Sequence, residues 1–192
     1  LGWLDMPPGC GHAGGLVALD ERTLVLGDTR RLYRIDLIAA FGPQADAARA
    51  ITATVGLRGV LKASSIAIDG QRLLLATHAA QPAQALAHWL PLEVLDTHNG
   101  SDIDESAATG RIGLPTKVQG TAFDRTGALW LSTSDSRHGL LVRSDSPGQA
   151  PTARHAMVIG MEGLAFDAQG ALWSVSEAGS LQSSSGRAPS IS

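Results

Sequence analysis

Two stretches of this chain repeat one pattern without a gap. Residues 118–136 have the sequence VQGTAFDRTGALWLSTSDS, and residues 161–180 have the sequence MEGLAFDAQGALWSVSEAGS. Both copies share Gly, Phe, Asp, Gly and Trp at matched positions, and Asp124 and Asp167 lie 43 residues apart. A period of this length is typical of proteins in which each repeat forms one small β-sheet. The repeat therefore restricts the fold more than any other feature of the sequence.

Two weaker copies lie upstream, at residues 14–29 and 64–78, with Asp20 and Asp69 at the matched position. In each copy a short alternating strand ends near the Asp, a turn follows, and a second strand is almost continuously apolar. Such a second strand is typical of strands packed on both faces. The four copies therefore predict four β-hairpins, in which the Asp residues cap turns and the Trp residues pack between sheets.

Further strands follow the hairpins. Third strands are predicted at residues 31–37, 85–93 and 139–145, and outer fourth strands at residues 51–57, 110–114 and 153–159. Four antiparallel strands per repeat form the blade of a β-propeller, so the predicted fold class is an all-β propeller with four visible blades. The repeat cores lie near residues 14–37, 64–93, 118–145 and 161–180, within a propeller region of residues 1–182.

The segments between and after the blades carry weaker signals. Residues 39–50 favour a short helix, residues 95–110 favour a solvated loop, and residues 183–192 favour a disordered polar tail. The fourth repeat has no clear third strand, which favours an incomplete six-bladed ring over a closed four-bladed ring. Because the sequence begins at Leu1 rather than Met, we expect an upstream segment to be absent from it.

Composition excludes some classes of partner. The net charge is −3, the pI is about 6.0 and the basic residues are scattered, which predicts no nucleic-acid partner. No apolar run is long enough to predict a membrane span. A single cysteine, Cys10, excludes an internal disulfide but leaves a secreted, periplasmic or cytoplasmic location open. The oligomeric state is open as well.

Alignment of the repeats selects candidate site residues. In a propeller blade, the start of the first strand and the end of the second lie at the same opening of the axial channel. We assign Glu162 and Asp28 to a divalent metal such as calcium, because this ion prefers oxygen ligands. His12 and His78 are candidate general bases, because imidazole titrates near neutral pH. The candidate substrate-binding residues are Ser64, Gln119, Ser134 and Glu177.

Residues 162–177, EGLAFDAQGALWSVSE, resemble the Glu-Gly-x-x-(Trp/Phe)-Asp…Gly-x-Leu-Trp signature of the senescence-marker-protein, gluconolactonase and strictosidine-synthase-like superfamily. They are also similar to phytase-like and NHL-type propellers. These propellers are mostly six-bladed, and in the gluconolactonase branch the Glu is a metal ligand, which the resemblance places at Glu162. The further Asn and Asp ligands of that branch have no matching motif in this sequence, and Asp28 is a candidate by position alone.

Two functions follow as expectations, with a purely structural repeat domain as a third. The first is a metal-assisted hydrolase of small esters or lactones, in which the metal polarises the carbonyl and a histidine moves protons. The second is a non-catalytic propeller that binds a polar ligand or a protein on the same face. No nucleophile elbow, phosphate-binding glycine loop or zinc-protease motif occurs in the sequence.

Overall fold

The computed structural model describes residues 4–135 and 137–176, and β-strands dominate these residues. Fifteen strands and three short α-helices follow one another along the chain. The strands are β1 (Ala13–Ala18), β2 (Thr23–Asp28), β3 (Arg31–Asp36), β4 (Ile51–Leu57), β5 (Ser65–Asp69), β6 (Arg72–Ala76), β7 (Leu86–Pro91), β8 (Asp102–Ile103), β9 (Gly110–Gly113), β10 (Val118–Phe123), β11 (Leu129–Ser134), β12 (Gly139–Ser144), β13 (Ala153–Met157), β14 (Met161–Phe166) and β15 (Leu172–Ser176).

The strands form four sheets in chain order. The strand orders are β1-β2-β3-β4-β8, β5-β6-β7-β9, β10-β11-β12-β13 and β14-β15. Strands pair antiparallel within the sheets, except that β8 pairs parallel with β4. The prediction of an all-β protein is confirmed, and strands form at residues 31–36, 51–57, 86–91, 110–113, 139–144 and 153–157, close to the bounds predicted for the third and fourth strands. The predicted tail at residues 183–192 lies outside the described residues.

The first strands of the sheets pack against one another. The hydroxyls of Ser65 on β5 and Thr121 on β10 are 2.9 Å apart and buried. Gly120 on β10 lies against the backbone carbonyl of Glu162 on β14, and Gly14 on β1 lies against the backbone of Ser64. Parts of β1, β5, β10 and β14 line one cavity of about 210 Å³. The four sheets therefore meet through their first strands.

The apolar core forms layers between successive sheets. Val25 and Leu32 of the first sheet pack with Leu73 of the second, and all three side chains are fully buried. A second layer joins Trp89 of the second sheet to Leu131 of the third. A third layer joins the third and fourth sheets. The second sheet thus packs between the first and the third, and the outer face of the first sheet packs on the two short helices within residues 37–50 and on the segment before β1, which explains the apolar runs of β6 and β2.

The fourth sheet departs from the expected burial. The sequence predicts that β15 is packed on both faces, but its residues Trp173 and Val175 are 65% and 69% exposed. This prediction is wrong for the described residues, because β15 pairs with β14 alone and no other described strand covers it. The matched strand β11 is largely buried because β12 pairs with it and neighbouring sheets flank it.

The helices are confined to connections. α1 (Leu37–Phe41) and α2 (Ala47–Ala50) lie within or beside the predicted helical segment, and Asp36 and Asp46 cap their first turns. α3 is Val94–Thr97. Among the described residues, none of these helices has the length and apolar character needed to cross a bilayer.

The segment at residues 95–110 is more ordered than the predicted solvated loop. Asn99 accepts a hydrogen bond from the backbone of Thr54 at 3.0 Å, and β8 then adds to the edge of the first sheet. Asp102 accepts from Arg58 at 2.7 Å. The acidic residues of the segment are therefore used for tertiary contacts and for the cap of a 3₁₀ turn at Glu105–Ala107.

Candidate functional site

The shared Asp and Trp of the repeat form one hydrogen-bonded unit. One oxygen of Asp124 accepts from the backbone of Thr126 and Ala128, and the other accepts from the Trp130 indole at 2.9 Å. Asp167 makes the same contacts and accepts from Trp173 at 2.7 Å. The interpretation of both Asp residues as turn caps is confirmed. The shared Asp and Trp therefore stabilise the turns of the repeat. Because both carboxylates accept hydrogen bonds within their own turns, we assign neither of them to a ligand-binding site.

These hydrogen bonds control the charge of Asp124. Burial raises its pKa, but donors from Thr126, Trp130 and the backbone outweigh burial and lower the pKa to about 2. The pKa of Asp167 is also lowered, first by the hydrogen bond from Trp173. Both carboxylates are ionised at neutral pH because each one is an acceptor within its own turn.

A β-bulge interrupts the first strand in three of the sheets where site residues were predicted, and in β1 it lies between Ala13 and Gly15. In β10 the pairing register with β11 shifts between Val118 and Gly120, which leaves Gln119 as the extra residue. In β14 the register with β15 shifts between Met161 and Leu164, around Glu162. Bulges change the direction of side chains and occur often beside functional sites. The bulges thus lie at the end of the sheets where the sequence predicts a site.

A polar cleft of about 260 Å³ lies at this end of the third sheet. We call it the Lys117 cleft. It lies between the start of β10 and the connection from β11 to β12. Its lining residues are Thr116, Lys117, Thr133, Ser134, Asp135, His138 and Leu140.

Lys117 has an unusual backbone conformation. Its φ is 60°, and it is the one described residue other than glycine with a positive φ. The left-handed region costs a side chain about 1 kcal/mol or more, so tertiary contacts must hold it. The Lys117 amide donates to the carbonyl of Ala79 at 2.8 Å, and its carbonyl accepts from Ser134 at 3.3 Å. Backbone strain of this kind is concentrated at binding sites and active sites.

Asp135 supplies the negative charge of the cleft. Its carboxylate accepts from the backbone of Arg137 and His138, each at 2.8 Å, and these bonds lower its pKa. The same carboxylate lies 3.9 Å from the Lys117 ammonium and 3.7 Å from the His138 ring. The cleft therefore presents a cation, an ionised carboxylate, an imidazole and hydroxyl groups within one small volume.

Ser134 is the predicted site residue that lines this cleft. It is 8% exposed, and its hydroxyl accepts from the amide of Gly160 at 2.7 Å. The same hydroxyl donates to the carbonyl of Asp135 at 3.2 Å. Ser134 therefore joins the third sheet to the turn before β14 and fixes the wall of the cleft.

The predicted metal ligand Asp28 is buried and occupied by backbone donors. It is 6% exposed, and its two oxygens accept from the amides of Gly11 and His12 at 3.2 and 2.9 Å. The side chain of His12 is exposed. Asp28 thus anchors the segment before β1, a contact that explains an acidic residue at the end of β2.

Of the other predicted residues, His78 follows the second strand β6, and Ser64, Gln119 and Glu162 lie at the starts of first strands. The His78 ring nitrogen lies 3.2 Å from the carbonyl of Val118, and its side chain is exposed. Ser64 packs its backbone against Gly14. Gln119 and Glu162 are half-buried, and the Glu162 carbonyl accepts from Ser174 at 3.2 Å. Glu177 lies outside the described residues.

The structure does not gather these predicted residues into a metal site. Within residues 4–135 and 137–176, no group of three or more His, Cys, Asp or Glu side chains is placed to hold a metal ion. Glu162 and Asp28 belong to the fourth and first sheets, and Asp28 contacts the backbone before β1. The calcium site remains a prediction.

Sequence analysis missed three residues of the Lys117 cleft, namely Lys117, Asp135 and His138. Lys117 carries no local signal, because its conformation depends on hydrogen bonds to Ala79 and Ser134, which are distant in the sequence. Asp135 does carry one, since an Asp that precedes a short hairpin connection often accepts from the next amides. That signal predicts a turn and does not predict a site.

The comparisons with known proteins match this chain to solved structures. No protein-family model matches the chain, and no curated protein matches it. One matching solved structure is described as the extracellular domain of the one component system BT4673 from B. thetaiotaomicron. It is 14% identical with a TM-score of 0.45, and the match covers 83% of this chain and 21% of that chain. This chain thus spans about a fifth of the length of that protein.

Proposed function

We propose that the four sheets are consecutive blades of a β-propeller with the first strands innermost. Three observations support this arrangement. The strand order runs outward from β1, β5, β10 and β14 in chain order. Parts of all four first strands line one cavity. Apolar layers join each sheet to the next. In such an arrangement, the Lys117 cleft lies at one mouth of the channel.

We further propose that this domain is a binding module that holds a small, polar, hydroxyl-bearing ligand in the Lys117 cleft. The observation that carries the proposal is the strained backbone of Lys117, which two long-range hydrogen bonds hold at the edge of the cleft. A fold gains no stability from a lysine in this conformation, because glycine adopts it without steric cost. Retention of a lysine there is consistent with a use for its ammonium group.

The charges of the cleft favour a neutral ligand with several hydroxyl groups, such as a sugar. Lys117 and Asp135 have opposite charges at 3.9 Å, so the cleft has little net charge. A hydroxyl group can accept from the ammonium and donate to the carboxylate at the same time. Leu140 adds an apolar wall, which suits the carbon face of a sugar ring. The buried hydroxyl of Ser134 donates to the carbonyl of Asp135 and accepts from the amide of Gly160, so no base among the described residues activates it, which favours binding over catalysis.

The metal-assisted hydrolase remains a prediction from the resemblance at Glu162. It requires Glu162 and Asp28 to hold one ion, and both oxygens of Asp28 already accept from backbone amides. If the hydrolase interpretation is right, calcium will raise the melting temperature through linkage and Glu162→Gln will abolish that increase. Hydrolysis of a lactone and ester panel, lost on addition of a chelator, would favour it over the binding module.

Substitutions at Lys117 test the binding module. Isothermal titration calorimetry with the neutral sugars glucose, galactose and N-acetylglucosamine should give heat of binding for at least one probe. Lys117→Ala should weaken that binding about tenfold or more, because it removes the ammonium. Lys117→Gly should also weaken binding while it leaves stability unchanged or raises it by about 0.5–1 kcal/mol, because glycine relieves the strain.

Lys62→Ala is the matched control, because Lys62 stands at the same distance before Ser64 as Lys117 before Gln119. This variant should bind the probe as the wild type does. Equal binding by Lys117→Ala and the wild type would contradict the proposed site. A loss of stability in Lys117→Gly would show that the strained residue serves the fold and not a ligand.

A further inference from the structure

A second cleft, of about 450 Å³, lies at the β2–β3 connection of the first sheet. We call it the arginine cleft. It lies between that connection and the segment that follows β4. Its lining residues are Arg30, Arg31, Gly56, Leu57, Arg58, Gly59 and Asp102. Three of the seven are arginines and one is acidic, in a chain whose net charge is −3.

Arg30 is fixed in place by neutral acceptors. One terminal nitrogen of its guanidinium donates to the carbonyls of Gly59 and Leu61, both at 3.0 Å. Its backbone carbonyl accepts from the amide of Leu57 at 2.8 Å. These bonds orient the guanidinium without neutralising its charge. A fixed arginine loses little conformational entropy when it binds an anion.

The positive charge of the cleft resides on Arg30 and Arg31. Arg58 donates to Asp102 through two nitrogens, at 2.7 and 2.6 Å, so this pair is neutral. Among residues 4–135 and 137–176, neither Arg30 nor Arg31 lies within 4.0 Å of a carboxylate oxygen in an ion pair. Two neighbouring arginines thus line the cleft, and neither forms an ion pair within the described part of the chain.

Arg31 is also held by its surroundings. Its guanidinium packs against Gly9, where a side chain would collide with it. Two further carboxylates lie close to the cleft: Asp28 accepts from two backbone amides, and Glu105 lies beside Gly59. Both reduce the local positive potential, and neither forms a salt bridge with Arg30 or Arg31 within the described residues. The cleft therefore presents two arginines that are held in place and have no salt-bridge partner among these residues.

We propose that the arginine cleft is an anion-binding site that takes a small ligand with a phosphate or carboxylate group. The planar guanidinium donates two parallel hydrogen bonds to either group, which makes arginine the usual residue for recognition of such oxyanions. A volume of about 450 Å³ exceeds that of the oxyanion alone, so the ligand carries further atoms. This site is separate from the Lys117 cleft and does not depend on its function.

Titration with two probes tests this proposal. Inorganic phosphate and citrate are added to the full chain in Tris-chloride at about 20 mM salt, and binding is followed by calorimetry and by the rise in melting temperature. We expect at least one probe to bind. Phosphate alone identifies a phosphate ligand, and citrate alone identifies a carboxylate ligand. Raising NaCl to about 200 mM should weaken the binding several-fold through screening.

Variants separate this site from general attraction to anions. Arg31→Gln should weaken binding about tenfold, and Arg30→Gln should do the same if circular dichroism shows that it folds. Arg154→Gln, which removes one exposed arginine from β13, should bind within about twofold of the wild type, and so should Lys117→Ala. No binding of either probe at about 10 mM overturns the proposal. Equal weakening in Arg31→Gln and Arg154→Gln also overturns it.

Discussion

At the scale of single residues, the Asp of the repeat explains why the signature extends over seven positions. Asp124 caps the turn with one oxygen and accepts from the indole of Trp130 with the other. Gly127, with φ of 82°, closes that turn in a conformation that favours glycine. Asp, Gly and Trp thus occur together in both repeats, because the Asp carboxylate accepts hydrogen bonds from backbone amides of the turn and from the Trp indole that follows it.

The depressed pKa of Asp124 predicts a pH dependence of stability. The folded-state pKa of about 2 lies below the usual pKa of an aspartate, 3.8, so the ionised group stabilises the fold at pH values above about 4. That contribution, on the order of 1–2 kcal/mol for this mostly buried side chain, is lost as the pH falls through about 2. Urea denaturation between about pH 5 and pH 2 should show a steeper loss in the wild type than in Asp124→Asn. Parallel curves would contradict the assignment.

At the scale of elements, the contact between first strands depends on Gly120. A Cβ there would lie 2.6 Å from the Glu162 carbonyl oxygen and 2.7 Å from the Ser132 hydroxyl. Gly120→Ala must therefore push β14 away from β10, and we expect it to lower the free energy of unfolding by about 1–3 kcal/mol. Thermal and urea denaturation measure the change.

Gly163 provides a matched control for this substitution. It occupies the same position in the next repeat, and no atom of residues 4–135 or 137–176 lies within 4 Å of a Cβ placed there. Gly163→Ala should therefore change stability by less than about 0.5 kcal/mol. If both variants lose stability equally, the close approach of β10 and β14 is not the cause.

The hairpins could be predicted from the sequence because their information is local. Each hairpin is specified within about 17 residues. Its features are the alternation of apolar residues, an Asp at the turn and a Gly that adopts a positive φ. The pairing of β8 with β4 could not be predicted, since it rests on contacts such as Asn99 with Thr54 and Asp102 with Arg58. A strand of two residues, such as β8, is too short to show an alternation of apolar and polar residues in the sequence.

The candidate site was predicted only in its general position. Repeat alignment selects Ser134 at the end of a second strand, and this residue lines the Lys117 cleft. Lys117 could not be found in this way, because its left-handed backbone depends on Ala79 in another sheet. The structural contacts of Asp28 could not be predicted for a similar reason, because its backbone partners lie 16 and 17 residues upstream.

At the scale of the whole molecule, the Lys117 cleft and the arginine cleft both lie beside connections that follow second strands. One follows β11 and the other follows β2. The two clefts differ in charge: the first contains an opposed Lys–Asp pair, and the second contains two arginines without carboxylate partners. One repeated architecture therefore presents chemically distinct surfaces at the same end, because the connections vary while the hairpins do not.

The central claim is that the four sheets pack through their first strands, and a designed disulfide tests it most directly. The side-chain oxygens of Ser65 on β5 and Thr121 on β10 are 2.9 Å apart, so cysteines at both positions should form an intramolecular disulfide. The native Cys10 is replaced by serine, and mass spectrometry after mild oxidation separates intramolecular from intermolecular bonds.

The control pairs Ser65→Cys with Thr152→Cys, because Thr152 contacts Arg143 near the outer strand of the third sheet. We predict that the Ser65→Cys/Thr121→Cys protein forms the intramolecular disulfide nearly completely while the control pair stays reduced. A folded Ser65→Cys/Thr121→Cys protein that remains reduced, or that forms the bond no faster than the control, would contradict the packing of first strands on which the fold and both clefts depend.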